Sequence, residues 1–169
     1  MLNILAAVAA LGVAPVDTLP ATDIDAATIQ ETAAQALAQG VTDIPVRTVD
    51  AGGHNVGLGV VHRQVGVVGG SASHDHVSEV YHILEGSGTL VTGGAHLDPK
   101  RRASGTLGVT QINGPGVSGR GISGGVSRVL EKGDVVIIPA GTVHWWSEVT
   151  APLTYTIIRV DPHKVIDLK

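Results

Sequence analysis

A chain of 169 residues, 43% hydrophobic and 15% charged, has the length of one domain and lies well away from the compositions of disordered chains. Four aromatic residues, none of them Phe, and 11 basic against 15 acidic residues provide neither the stacking platforms nor the positive field that nucleic-acid binding needs. The absence of Cys excludes disulfides, thiolate metal sites and a Cys nucleophile, so the placement of the eight histidines decides the chemistry.

The apolar run Leu2–Val16, interrupted by Asn3 and ended near Pro15, is shorter than the roughly 20 residues of a transmembrane helix. Its length suits the core of an export signal, with Ala7, Ala9 and Ala14 at cleavage-like positions, although no basic residue precedes it. Residues 1–20 are therefore read as a signal-like or packed apolar segment, with export or a periplasmic location favoured over the cytoplasm. Residues 21–44 hold one helix, Thr22–Gln39. Thr22 and Asp25 fit a capping box, the body is rich in Ala, and Gly40 stands where a C-terminal cap belongs. The stripe of Ile29, Ala33 and Ala36 must dock on a sheet or a dimer seam.

Residues 45–169 change texture. Val-rich runs of strand length alternate with Gly, Pro, Asn and Asp, the pattern of an all-β sandwich or barrel. The expected strands are Val46–Val49, Val56–His62, Glu79–Leu84, Gly88–Thr92, Gly105–Ile112, Val126–Leu130, Asp134–Ile138, Val143–Ser147 and Leu153–Val160. A turn is expected at Glu85-Gly86-Ser87-Gly88, and the stretches His96–Ser104 and Asn113–Gly125 read as irregular.

His74 and His76 lie two apart, which on a strand puts both imidazoles on one face with α-carbons roughly 6.6 Å apart, close enough to share an ion. Glu79 has the wrong parity for an uninterrupted strand, so a turn after His76 must bring its carboxylate round. Downstream, Gly133-Asp134 opens an apolar strand, Pro139-Ala140-Gly141 forms a tight turn, and His144 begins the next strand. A fourth ligand from that strand would complete a site across the sheet.

These residues resemble the two motifs of the cupins, G(X)5HXH(X)3,4E(X)6G and G(X)5PXG(X)2H(X)3N. The first is seen in HDHVSEVYHILEG, His74 to Gly86, and the second in GDVVIIPAGTVH, Gly133 to His144. The chain departs from them in having two residues between His76 and Glu79, an opening Gly69 one place out of step, and Glu148 in place of the closing Asn. The resemblance spans about Gly57 to Val160. It implies an all-β double-stranded β-helix, a small barrel with an N-terminal helical extension. It also implies one divalent transition metal held by His74, His76, Glu79 and His144. Three imidazoles and a carboxylate accept Fe, Mn, Ni, Cu, Co or Zn and leave open positions for a small-molecule ligand. An enzyme of the dioxygenase, isomerase or lyase kind is expected ahead of a non-catalytic binding protein or a barrel stabilised by its metal.

Trp146, two residues after His144, shares its inward parity and is a pocket or core candidate, whereas Trp145 faces the other way. Tyr81 shares the parity of Glu79 and offers a phenol to a bound ligand. His82 has the opposite parity, and His54, His62, His96 and His163 show no partner pattern. Lys100, Arg101, Arg102, Arg120 and Arg128 lie between the motifs, either on a solvated loop or on a lid that steers an anion. A homodimer is expected, with Trp145 or the Ile29 face near the contact.

Overall fold

The computed structural model describes residues 20–169; the apolar run Leu2–Val16 lies outside them. The helix, α1, spans Ala26–Gln39. It starts four residues later than Thr22 because Asp25 is itself the N-cap, its carboxylate accepting the Thr28 N–H at 2.7 Å. It stops at Gly40, whose φ of 64° is left-handed, as the sequence suggests. Thr32 and Ala36 are buried as the helix lies across the outside of the first two strands.

Eleven antiparallel strands follow among the described residues. The barrel begins with β1 (Asp43–Asp50), β2 (Asn55–Arg63) and the short β3 (Ser71–His74), and continues into β4 (Ser78–Thr92). A flap then carries β5 (Ala95–Leu97), β6 (Lys100–Arg101), β7 (Gly116–Gly119) and β8 (Gly121–Ser123). The chain returns through β9 (Val126–Glu131), β10 (Val135–Ile138) and β11 (His144–Asp161). β11 lies between β2 and β4 for most of its length, and its first residue also meets β3. β10 and β9 line the far edge of β4, while β7 and β6 extend the sheet from β3. The result is the expected double-stranded β-helix with a helix on its flank. Its core is built from inward residues such as Ile83, Leu90, Val136, Trp146, Leu153 and Tyr155.

Three local expectations are corrected. The turn at residues 85–88 is a kink within one 15-residue strand. Gly86 has φ 80° there, and a β-carbon on it would sit 1.9 Å from the Pro152 carbonyl oxygen, so the glycine serves a bend matched by bulges in β11. For the same reason the two strands expected at Val143–Ser147 and Leu153–Val160 are one strand of 18 residues. Finally, Gly105–Ile112 is not a strand. Its later residues enter a wide helical turn, Gly108–Asn113, bracketed by the left-handed Gly105 and Gly114 and started by bonds from Val109 and Thr110 to the Thr106 carbonyl. The stretches read as irregular hold the four short flap strands. Among the described residues, no helix is long and apolar enough to cross a membrane.

Candidate metal centre

The two motif segments meet where β3 ends. Its last residue, His74, points inward, the chain bends through Asp75 and His76, and β4 then carries Glu79 back into the barrel. The Pro139-Ala140-Gly141 turn closes over this bend. Gly141 N–H donates to the His74 carbonyl at 2.7 Å and Ala140 N–H to Ser78 Oγ at 3.1 Å, which sets His144, three residues on, beside His74. The imidazole centroids are 5.2 Å apart.

Glu79 is the centre of this group. It is 1% exposed, with His74 at 3% and His144 at 6%. His74 Nε2 lies 3.3 Å from Glu79 Oε1, and His144 Nε2 lies 3.3 Å from Oε2. The other ring nitrogens face backbone carbonyls, His74 Nδ1 at 2.8 Å from Asn113 O and His144 Nδ1 at 3.0 Å from Thr142 O. A carbonyl only accepts, so each Nδ1 facing one carries a proton; each Nε2 then donates to the carboxylate when its ring is protonated and offers a lone pair when the ring is neutral. Arg102 Nη2 donates to the Ser73 carbonyl at 2.7 Å and lies 3.1 Å from His74 Nδ1.

His76 does not join them. Its side chain is exposed, and its ring lies against that of His163 with centroids 4.5 Å apart. β3 has already ended at His74, so the alternation that would bring residues 74 and 76 to one face no longer holds. The family spacing fits the structure when His74 is taken as the second histidine of the first motif. Gly66, position 72, His74, Glu79 and Gly86 then keep every interval, with four residues between His74 and Glu79. Position 72 is alanine. Ala72 pairs with His144 across β3 and β11 and lines the cavity, so a methyl group stands where the motif places its first imidazole.

Two further residues act on Glu79. Tyr81 donates its hydroxyl to Glu79 Oε2 at 2.9 Å, so the phenol is committed to the carboxylate. Arg159 lies directly across the β4–β11 ladder from Glu79, places Nε 3.3 Å from Oε1, and forms an ion pair with Asp43 through Nη2. Gly59 on β2 leaves room for this pair, since a β-carbon there would lie 3.1 Å from the guanidinium. Sequence reasoning passed over Arg159, yet the alternation Tyr155, Ile157, Arg159 already put it on the inward face of β11. Trp146 is buried in the core and donates its indole N–H to the Tyr155 hydroxyl at 3.1 Å, while also lining the cavity. Trp145 does not point away. Its indole N–H donates to the Gly69 carbonyl at 3.2 Å and its ring covers Gly121, which brings it into the cavity wall. Of the basic segment, Arg101 pairs with Asp75 and Arg120 with Asp98 on the surface, and only Arg102 turns inward.

The group opens on a cavity of about 270 Å³ inside the barrel. Burial alone would raise the Glu79 carboxyl, but His74, His144 and Arg159 hold it far below its ordinary range, so it is ionised. Burial lowers His144 against the pull of Glu79, which keeps the ring neutral and able to ligate. Burial and then the Glu79 charge push Tyr81 up, so its hydroxyl stays a donor.

These donors suit a divalent cation. With both rings neutral, two lone pairs would face the anion, an arrangement that a cation between them stabilises. Bonds of about 2.0–2.2 Å to one ion would set ligand atoms roughly 3.0–3.5 Å apart, which matches the separations from Glu79. Both imidazoles are fixed through Nδ1 and both carboxylate oxygens are oriented by Arg159 and Tyr81, the outer support that metal ligands receive. His74, Glu79 and His144 could therefore hold a metal.

No protein-family model and no curated protein matches the chain in sequence. Solved structures with similar backbones include the BH2720 protein of Bacillus halodurans, 20% identical over 69% of this chain and 70% of that one, with a TM-score of 0.44. A Klebsiella pneumoniae protein with a double-stranded beta-helix domain is 16% identical over 71% of this chain and 79% of that one, at TM-score 0.43. The DMSP lyase DddQ of Ruegeria pomeroyi is 17% identical over 71% of this chain but only 47% of its own length, also at 0.43. The strand order defines the architecture without them, and it is a double-stranded β-helix.

Proposed function

We propose that the protein is a metal-dependent enzyme that acts on a small organic molecule inside the barrel, with His74, Glu79 and His144 as its three protein ligands. The observation that carries this reading is the pair of buried imidazoles, each fixed through Nδ1, whose Nε2 atoms converge on one ionised carboxylate at the wall of a cavity. Two histidines and a carboxylate with open positions are the ligand set of non-haem Fe(II) oxygenases, so a dioxygenase-like oxidoreductase is favoured over an isomerase or lyase. Such an ion, when bound, supplies Lewis acidity and, if it is iron, a site for O2. The chain's own residues do the rest. Arg159 and Tyr81 fix the carboxylate, Asn113 and Thr142 carbonyls fix the rings, Ala72 leaves space beside them, and Trp145 and Trp146 wall the cavity against water.

Elemental analysis of the full-length protein tests the ligand set. About one divalent ion per chain is expected in the parent and almost none in His144→Ala, while His76→Ala should retain it. Equal metal content in the parent and His144→Ala would remove the assignment. Oxygen uptake by the Fe(II)-loaded protein with added small organic acids and phenols separates the oxygenase from a non-catalytic binding protein, which would bind without turnover. We further propose that the protein is a homodimer. Ile29 and Leu84 line an open groove beside α1, and Val135 and Ile137 of β10 are exposed, so the contact is placed on one of these apolar surfaces. A monomer by light scattering at micromolar concentration would exclude it.

A further inference from the structure

Arg63 ends β2 on the inward side, in line with Gly57, Gly59 and Val61, and lines the same cavity as the metal-binding group. It forms no salt bridge with any carboxylate among the described residues. Nη1 donates to the Val68 carbonyl in a hydrogen bond that is long at 3.3 Å, the Tyr155 hydroxyl lies beside the guanidinium, and the buried Nε has no partner. A guanidinium carries five N–H donors in a rigid fork suited to a carboxylate, and a buried Nε–H without a partner is costly unless something else occupies it. Burial pulls Arg63 down, but the neighbouring Tyr155 and the charge of Asp43 outweigh it, and the group remains cationic.

The charge balance of the cavity points the same way. Its wall holds two carboxylates, Asp43 and Glu79, against two guanidiniums, Arg63 and Arg159. Asp43 and Glu79 are both engaged by Arg159, so Arg63 is the cation left over. A divalent ion at Glu79 would add two positive charges in a partly enclosed space, and an anionic ligand would offset them. Tyr155 and Tyr81, with ring centroids 4.7 Å apart and planes tilted by 37°, line the same cavity and offer ring surface to a few carbons. At about 270 Å³ the cavity is below the size that holds drug-like ligands.

We infer that the cavity takes a small organic acid whose carboxylate sits on the Arg63 guanidinium and whose remaining oxygens face His74, Glu79 and His144. This substrate class rests on the metal-enzyme reading for its second half only, because the carboxylate anchor needs no ion. Arg63 is thus a specificity-determining residue, chosen for charge at one end of the cavity while the metal group selects for oxygen at the other.

The test titrates oxalate, malonate, succinate and glutarate into full-length protein by calorimetry, with and without one equivalent of Co2+, using neutral succinamide and inorganic phosphate as controls. At least one dicarboxylate should bind, succinamide should not, and Arg63→Met should weaken the best acid tenfold or more while its Co2+ absorption spectrum stays that of the parent. If Arg63→Met does not fold, Arg63→Gln gives the same measurement. The inference is overturned if none of the four acids binds, if the folded Arg63 variant binds as tightly as the parent, or if phosphate or the amide binds as well as the acids. Failure of the metal reading has a different signature: Co2+ does not bind the parent, yet an acid still binds the metal-free protein in an Arg63-dependent way.

Discussion

The strip formed by β3, β4, β10 and β11 and the flap of residues 93–125 are both β-rich and lie side by side, but they are held by different forces. In the strip, long ladders fix every inward residue. Glu79 faces Arg159 and Tyr81 faces Ile157 because the β4–β11 register makes them opposite. In the flap the ladders are two to four residues long, and polar side chains do the holding. His96 bridges Ser71 at 2.8 Å and Ser73 at 3.0 Å, Ser71 reaches the Gly121 carbonyl at 2.8 Å, and Arg102 reaches the Ser73 and Val117 carbonyls. The flap hands two groups to the site, the Asn113 carbonyl and the Arg102 guanidinium, both beside His74 Nδ1. Backbone register can position a catalytic group directly, whereas short strands need side-chain anchors to position one through another.

The largest effect should come from Glu79→Ala. It leaves the Arg159 charge buried with only Asp43, a loss of about 3–5 kcal/mol, and abolishes metal binding. Chemical denaturation and metal analysis read the two consequences separately. The pH profile adds a sign. Because the Glu79 carboxyl is depressed in the folded state, its contribution is fully present above the ordinary value of about 4.5 and is lost as the pH falls below it. Glu79→Gln should therefore flatten the acid limb of the stability curve of the metal-free protein. An unchanged limb would show that the charge is not engaged.

Next in size is Gly86→Ala, which forces a side chain into a left-handed kink against the Pro152 carbonyl and should cost about 1–3 kcal/mol. It tests whether the ladder alone carries the strip, since the long β4 and β11 depend on this bend. In the flap, His96→Ala removes the bridge between Ser71 and Ser73 and should cost about 1–2 kcal/mol with metal stoichiometry unchanged. Loss of metal in His96→Ala would mean that the flap and the site are not separable. The smallest effect is that of Arg101→Ala, whose exposed pair with Asp75 is screened by salt. Its melting temperature should match that of the parent at 0.5 M salt, and a clear deficit there would place Arg101 among the true anchors.

Much of the strip was legible before the structure. Gly133, Pro139, Gly141 and His144 occupy the turn and strand that their spacing implies, and Glu79 and Tyr81 point inward as their shared parity requires. What could not be read was which histidine is the partner of Glu79. Positions 72, 74 and 76 share one parity, so alternation fits any adjacent pair of them, and only the end of β3 at His74 shows that residue 76 has left the face. Gly86 looked like a turn because a glycine amid polar residues also signals one, and telling a kink from a turn takes the opposing strand. The flap resisted for a further reason: its short strands are fixed by His96, Ser71 and Arg102, contacts between distant positions that leave no local period. A strand arginine reads as a surface residue until its inward parity is matched with a buried partner, as for Arg159 with Asp43 and Glu79.

The β4–β11 ladder also bears on how fast the chain reaches this state. Ser78 pairs with Val160 and Thr92 with His144, so β4 waits for a strand made many tens of residues later. Topologies dominated by such distant pairings fold slowly, in roughly milliseconds to seconds for small domains, because the loop must close before the contacts reward it. Glu79 and Arg159 lie at the end of the ladder where the intervening loop is longest. The buried charges therefore meet among the last events of folding, and until then β4 carries an unpaired edge and an uncompensated carboxylate that stays in water.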